Sequence, residues 1–277
     1  MTKTWFITGA SSGFGRILAE KALARGDRVA ATLRNPDTLA PLAERHGDAL
    51  LVRRLDVSDP QAVRRVLDEC FARLGRIDVV VSNAGYGLFG AAEELDEAEI
   101  RRIVDTNLLG SIAVIRHSLP HLRAQGGGRI LQVSSEGGQM AYPGFGLYHA
   151  TKWGIEGFAE AVAQEVAPFG IRLTLVEPGP TRTNFGRGLA HSRTMPAYDG
   201  TPADIVRRGM ADGSFAVVGD PVKMVDRMIE AADAGDPPRR LTLGGTAYAS
   251  VRAALTERLA ALEAQREVAL STDADPA

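Results

Sequence analysis

The sequence holds a single cysteine, Cys70, so no disulfide can form within the chain. It has no apolar run approaching the ~18 residues of a membrane span. The apolar run Trp5–Ile7 near the start passes straight into a glycine turn, which is not the pattern of a secretory leader. Neither sign of charge is in excess, since the formal net charge is −2. Arginine pairs at 53–54, 64–65, 101–102 and 207–208 are scattered and interleaved with acids such as Asp56, Asp68 and Glu99. They describe solvated faces, not a nucleic-acid patch. These absences predict a reducing, cytoplasmic setting, with neither membrane nor nucleic acid as partner. There is no internal repeat and no clear linker, so the 277 residues, 45% of them hydrophobic, are read as one domain over 1–277.

What is present is alternation. Short apolar runs predict strands at 4–8, 28–33, 49–57, 77–83, 126–135, 171–179 and 239–243. Amphipathic stretches predict helices at 13–25, 38–46, from Ser58 to Gly75, from Asp96 past Asn107 to Arg123, and through 148–152 to about Ala167. In Ser58-Asp59-Pro60-Gln61, Ser58 is the expected cap. Strands rich in Val, Ile and Leu alternating with helices predict an α/β protein, its parallel sheet covered on both faces. Residues 184–217, rich in Gly, Pro and Arg and without clear period, are expected to form a substrate lid. In the closing part, 246–277, a helix over 250–268 would carry Val251, Leu255, Leu259 and Leu262 on one face, and the tail after Leu270 should fray.

Two short stretches carry chemistry. The first strand runs into "TGASSGFG" at 8–15, with glycines at 9, 13 and 15 at a helix start. Such a turn is either a tight strand–helix connection or a cradle for a pyrophosphate held by the helix N-terminus. The second strand ends Thr32-Leu33-Arg34, with no acid at 32–34 to accept from ribose hydroxyls. Arg34 is thus either a surface arginine or a clamp for a 2′-phosphate, with Arg16 placed to assist. In "YHATK" at 148–152, Tyr148 and Lys152 stand one helical turn apart. Taken alone, the pair is either an ordinary polar i,i+4 pair or a phenol tuned by an ammonium.

Together these motifs resemble the short-chain dehydrogenase/reductases over residues 3–245. "TGASSGFG" at 8–15, "LDV" at 55–57, "SNAG" at 82–85, Asn107, Ser135, "YHATK" at 148–152 and "EPGPTRT" at 177–183 come in that family's order. Ser82 departs from it, asparagine being more usual there. The resemblance implies a Rossmann-like doubly wound sheet of about seven strands and an NADP(H)-linked oxidoreductase acting on a carbonyl or secondary alcohol. It implies that Gly9, Ser11, Ser12, Gly13, Phe14 and Gly15 bind the diphosphate, that Asp56 and Val57 flank the adenine, and that Asn83, Ala84 and Gly85 pass behind a ribose. Pro178, Gly179, Thr181 and Thr183 would carry the nicotinamide end. Tyr148 would be the acid/base and Ser135 the donor to the substrate oxygen. Lys152 would contact a ribose and lower the tyrosine pKa, and Asn107 would hold a relay water. A homodimer or homotetramer is also implied, paired through 97–123 and 146–168.

Tyr86, Gln139, Tyr142, Phe145 and Pro180 are candidate substrate contacts on a medium-sized, largely apolar pocket. Glu136 is either a solvated loop acid or a group at the substrate mouth that binds a polar or cationic moiety. His117 and His121 are four apart but lack partners for a metal, and His149 is expected to be structural or at an interface. Three alternatives stand beside the oxidoreductase reading. A non-catalytic dinucleotide sensor would not need Asn107, Ser135, Tyr148 and Lys152 together. A sugar-nucleotide epimerase would show another glycine spacing and a larger C-terminal domain. A reductase of carrier-bound β-ketoacyl groups would want a basic entrance, for which Arg182, Arg187 and Arg193 are candidates.

Overall fold

A computed structural model describes residues 2–186 and 188–274. The chain opens with β1 (Thr4–Thr8), α1 (Gly13–Ala24), β2 (Arg28–Leu33), α2 (Ala40–His46) and β3 (Leu50–Arg54). It continues through α3 (Pro60–Leu74), β4 (Val79–Ser82), a short β5 (Leu88–Phe89), α4 (Glu97–Ile103), α5 (Gly110–Ala124) and β6 (Gly128–Val133). Then come α6 (Gly146–Val166), β7 (Ile171–Pro178), a short β8 (Ala190–His191), α7 (Pro202–Asp212) and α8 (Pro221–Asp233). β9 (Arg240–Leu243), α9 (Gly245–Glu263) and α10 (Arg266–Leu270) close it.

Seven strands form one parallel sheet in the order β3-β2-β1-β4-β6-β7-β9, while β5 and β8 pair with each other. Strand alternation explains the two layers of helix. Trp5 and Ile7 of β1 and Val79 and Val81 of β4 point to one face, where they meet Leu18 and Ala22 of α1 and Val225, Met228 and Ile229 of α8. Phe6 and Val80 point to the other, against Val63 and Leu67 of α3, Val114 of α5 and Ile155 and Ala159 of α6. A strand buried on both faces is apolar through its centre, as β1 is over Trp5–Ile7 and β4 over Val79–Val81. Each such side chain stabilises the fold by about 1.5–3 kcal/mol relative to exposure.

Strand order reverses between β1 and β4, because β1 sends its chain to β2 on one side and β4 sends its chain to β6 on the other. A crevice therefore opens above the carboxyl ends of these strands. Chain segments leaving β1, β2, β3, β4, β6 and β7 carry Gly9, Arg34, Asp56, Asn83, Ser135 and Gly179 to that one edge.

Four local expectations need correction or refinement. The cap of α3 is Asp59, whose carboxylate accepts from the amides of Gln61 and Ala62, because Ser58 is turned back to donate to Asp56. The helical stretch expected from Asp96 past Asn107 to Arg123 is divided by a π turn over Val104–Leu109, so Asn107 interrupts its helix, as the resemblance implies. The region 184–217 is not irregular throughout, since it contains β8 and α7. On α9, Val251 faces the core, but Leu255, Leu259 and Leu262 are exposed, so the apolar face has no core to meet.

Candidate active site

The glycine turn is locked from behind. The Thr8 hydroxyl accepts from the amides of Asn83 (2.9 Å) and Ala84 (3.0 Å), and the Asn83 side-chain amide donates to the carbonyls of Thr8 (2.9 Å) and Gly9 (3.2 Å). Gly9 has φ +68°, and a Cβ on it would lie 2.8 Å from Ala84 Cα. At Gly15 a Cβ would lie 2.5 Å from the Gly9 carbonyl oxygen. Only glycine permits this packing. Ser12, at the cap of α1, makes no side-chain capping bond, and no acid occupies the first turn. The orphan N–H groups and the positive end of the helix therefore face the crevice, with Ser11 exposed beside them and Phe14 packed behind on the core. Across the crevice Thr183 approaches, its Cβ 3.7 Å from where a Gly13 Cβ would stand. These residues fit a dinucleotide diphosphate.

Arg34 is exposed at the end of β2. Burial pushes the Asp56 carboxyl up, but bonds from Ser58 and the charge of Arg34 hold it below the usual carboxylate range. Val57 is buried under this edge and packs on Gly110. Arg16 is committed elsewhere: it pairs with Glu20 at 2.6 Å and reaches the Thr38 carbonyl. After β7, Gly179 packs against Thr246 and Ala247 of α9. The Thr181 hydroxyl donates to the Gly179 carbonyl at 2.7 Å, which fixes the turn through Pro178 and Pro180.

Tyr148 and Lys152 share the inner face of α6 and are both buried. The phenol ring lies 5.6 Å from the Lys152 ammonium, which donates to the Val133 carbonyl at 3.0 Å. Ser135 caps the turn after β6, its hydroxyl accepting from the Gly137 amide at 3.1 Å and bonded to the phenol. The expectation of a lowered tyrosine pKa is not met by this arrangement. Burial pushes Tyr148 up to about 12, the Ser135 bond opposes, and the charge of Glu136 adds to the rise. At 8% exposure the cost of removing a phenolate from water sets the direction. Burial likewise pulls Lys152 down to about 8, against the charge of Glu156 one turn along.

Asn107 lies in the π turn, where the widened helix aims its amide at the segment after β4. It donates to the Tyr86 carbonyl at 2.8 Å and accepts from the Tyr86 amide at 3.0 Å, so it fixes the main chain beside Gly85. A Gly85 Cβ would meet both Asn107 Oδ1 and Lys152 Nζ, so these three positions converge.

Around Tyr148 stand Phe145, its ring 6.2 Å away, and Phe185, at 5.8 Å. Leu88, Tyr86 and Ala190 complete this apolar cluster. Other expected contacts fall differently. Gln139 donates to Glu177 at 2.6 Å and is drawn into a buried network. Glu136 is not a solvated loop acid. It is 3% exposed and accepts from the Tyr142 hydroxyl at 3.0 Å. His149 is internal, with Nδ1 on the Gly137 carbonyl and Nε2 accepting from the Tyr142 amide. His121 pairs with Asp68 at 2.6 Å, and no cluster of His, Cys, Asp or Glu suited to a metal occurs among the described residues. Arg182 and Arg193 are exposed, and Arg187 lies outside the described residues.

Sequence reading passed over the groups behind Lys152. Glu156 accepts from the Ser134 hydroxyl at 2.5 Å and shares Arg240 with Glu160 and Glu177. The spacing that singled out Tyr148 and Lys152 points on by one turn to Glu156 and by two to Glu160, and that signal was available. Thr8 gave no such signal, because its role comes from three strands' ends meeting.

The model of the short chain dehydrogenase family matches residues 3–194. An oxidoreductase of Botryotinia fuckeliana, BOA17, is 37% identical over 274 residues, covering 98% of this chain and 100% of that one. A solved short-chain dehydrogenase from Streptomyces avermitilis superposes with a TM-score of 0.91 at 40% identity, covering 98% of each chain. An alcohol dehydrogenase from the archaeon Thermococcus sibiricus, complexed with 5-hydroxy-NADP, gives a TM-score of 0.72 at 26% identity over 88% of this chain and 96% of that one. With the glycine cradle, Ser135, Tyr148 and Lys152 gathered at one edge of a doubly wound sheet, the chain belongs to the short-chain dehydrogenase family.

Proposed function

We propose that this protein is an NADP(H)-dependent carbonyl reductase, interconverting a ketone and a secondary alcohol on a medium-sized, largely apolar substrate. The observation that carries the reading is the grouping of half-buried Ser135 with buried Tyr148 and Lys152 beside the glycine cradle. Bound nicotinamide supplies or accepts the hydride. Ser135 donates to the substrate oxygen, and Tyr148 hands that oxygen its proton as negative charge grows on it. A phenol raised to about 12 by burial holds its proton at neutral pH and is available as the acid in the reduction step. Lys152 holds a ribose and stands by the phenol, and Asn107 keeps the Tyr86 segment and Gly85 in place.

The NADP(H) preference rests on Arg34, on the lack of an acid at 32–34, and on the NADP derivative held by the archaeal relative. The substrate class rests on the walls formed by Leu88, Phe145 and Phe185. A non-catalytic sensor is disfavoured, because burying an ammonium and a phenol beside each other costs stability and brings a sensor nothing. The protein is read as a cytoplasmic homo-oligomer whose partner is a small molecule, with no nucleic acid and no membrane. No helix among the described residues is long and apolar enough to cross a membrane.

A panel of ketones and alcohols, followed by nicotinamide absorbance with each cofactor, tests this. Turnover of apolar ketones with NADPH and weaker turnover with NADH is the expected result. No cofactor-linked turnover in either direction would remove the reading.

A further inference from the structure

Glu136 follows Ser135 directly, yet nothing in the proposed reaction uses it. Its Oε1 accepts from the Tyr142 hydroxyl, while Oε2 is buried with no hydrogen-bond partner. Buried polar atoms are almost always partnered, so an orphan oxygen one residue from the carbonyl-binding serine asks for a ligand. The carboxyl stands on the turn that Ser135 caps, and its charge raises the Tyr148 phenol.

Its surroundings prevent it from turning away. A Cβ at Gly137 would sit 2.2 Å from the His149 ring, and one at Gly138 would sit 1.7 Å from the Glu156 carboxylate, so the turn is pressed against α6. His149 bonds both the Gly137 carbonyl and the Tyr142 amide, which holds the acid and its phenol partner together. Phe215, from the segment after α7, packs edge-on against Tyr142 at 5.9 Å. No cation offsets the burial that raises this carboxyl, and the Tyr142 bond is the sole opposing cause. The group is therefore a preorganised acceptor whose second oxygen has been left for something that enters the site.

We propose that Glu136 Oε2 recognises a hydrogen-bond donor on the substrate, a hydroxyl or a protonated amine, carried within a few atoms of the carbonyl that Ser135 and Tyr148 hold. This rests on the carbonyl-reductase reading and narrows its substrate class to hydroxy and amino ketones with an apolar remainder. A donor of this kind satisfies the orphan oxygen. A plain ketone leaves it buried and unpaired, and sites built to bond a donor reject analogues that lack it.

The test uses three ketones of equal chain length: the plain methyl ketone, the hydroxymethyl ketone and the aminomethyl ketone. Kcat/KM is measured with NADPH for the wild type, E136Q and E136L. A bond to a charged group is worth roughly ten- to a hundredfold, so the wild type should favour both donor-bearing ketones over the plain one by at least about tenfold. E136L should bring both ratios to about one. E136Q, nearly isosteric and so insured against misfolding, should keep part of the hydroxyl preference through its amide oxygen and lose the amine preference. Wild-type ratios near one, or preferences that survive in E136L, overturn the proposal. If no ketone turns over, the carbonyl-reductase reading fails separately. The same ratios are then read as dissociation constants by calorimetry, and equal constants for the three ligands overturn the role of Glu136.

Discussion

Tyr148 and Lys152 are both driven by burial toward their neutral forms, the phenol up to about 12 and the amine down to about 8. Tyr148→Phe keeps the ring in its apolar cluster and removes the proton. Fold and NADPH binding should survive while turnover falls by at least ~10²-fold, read by steady-state kinetics and a fluorescence titration of the cofactor. Near-normal turnover would point to another donor. Lys152 makes a stability prediction of definite sign. Its pKa falls from 10.5 to about 8 on folding, so between those values the unfolded chain binds more protons and stability contributed by this group rises with pH. Below about pH 8 the buried ammonium exacts its full cost. Lys152→Met should therefore melt at a higher temperature than the wild type at about pH 7 although it has lost activity, and the gap should narrow toward about pH 10. A lower melting temperature at neutral pH would mean that the Val133 bond outweighs desolvation. At Arg34, one charge-assisted contact is at stake, so Arg34→Ala should weaken NADPH binding by roughly ten- to a hundredfold and NADH binding little. Equal affinity of the wild type for both cofactors would end that assignment. Residues at this edge were legible because their roles depend on order and spacing along the chain. Gln139 was not, because Glu177, the partner that holds its side chain, lies far along the chain.

At the scale of elements, the sheet was legible and the cap over it was not. The inner strands are apolar at their centres because they are buried on two sides, so composition marks them. α7 shows no such pattern because Ala203 is its one buried residue, and charge holds it in place of apolar packing. Its Arg207 reaches Glu94, which is 1% exposed and also accepts from the amides of Ala91 (2.8 Å) and Met195 (3.0 Å). Ser192 bonds Glu99 and Tyr198 bonds Glu93, while β8 pairs with β5. The stretch from 190 to 212 is thus stapled to 86–99, and Glu94 is the post. α8 was passed over, although Asp220 and Pro221 repeat the cap pattern of Asp59 and Pro60 and Met224, Val225, Met228 and Ile229 are buried behind it. Removing one partner of a buried pair leaves the other charge stranded, at a cost of about 3–5 kcal/mol when both are fully buried and less where, as here, the arginine is part-exposed. Arg207→Met should therefore loosen the cap before the sheet. Limited proteolysis should cut within 190–212 sooner than in the wild type, and KM should rise more than kcat falls. An unchanged cleavage rate would show that the backbone bonds to Glu94 suffice. Glu94 also sets a pH limit: burial pushes its carboxyl up, but the Met195 and Ala91 amides and then Arg207 hold it low. Its stabilising contribution is present above the unfolded value of 4.5 and is lost as pH falls through the lower, folded one.

At the scale of the molecule, the surface keeps apolar groups that a solitary chain would be expected to cover. Leu109 at the π turn is 51% exposed and Trp153 on α6 is 44% exposed. The two elements are neighbours, with Leu108 against Gly154. Leu255, Leu259 and Leu262 of α9 and Val268 and Leu270 of α10 form a second apolar stretch beyond the sheet. The heptad-like spacing that predicted a core-facing stripe was real, but the helix extends past the body of the domain, so only Val251 reaches the core. Sequence pattern reports that a face is to be buried and is silent on whether the chain itself does the burying. A two-fold assembly puts the same patch on both copies, so a single apolar face suffices to pair them. The protein is accordingly expected to sediment as a homodimer or homotetramer at micromolar concentration, paired through α4, α5 and α6. Leu109→Arg with Trp153→Arg places like charges opposite each other across a two-fold axis and should give monomers. Leu255→Gln, Leu259→Gln and Leu262→Gln together should lower a tetramer to a dimer while leaving the dimer intact. The four leucines are exposed in the single chain, so the fold should be little affected there, within about 0.5 kcal/mol per site, whereas Trp153→Arg also removes a bond to the Met140 carbonyl and the stacking of Arg258 and should cost more. Sedimentation of the wild type as a monomer would refute the assembly, and dissociation by the α9 substitutions with none by the arginines would move the primary interface to the C-terminal helix.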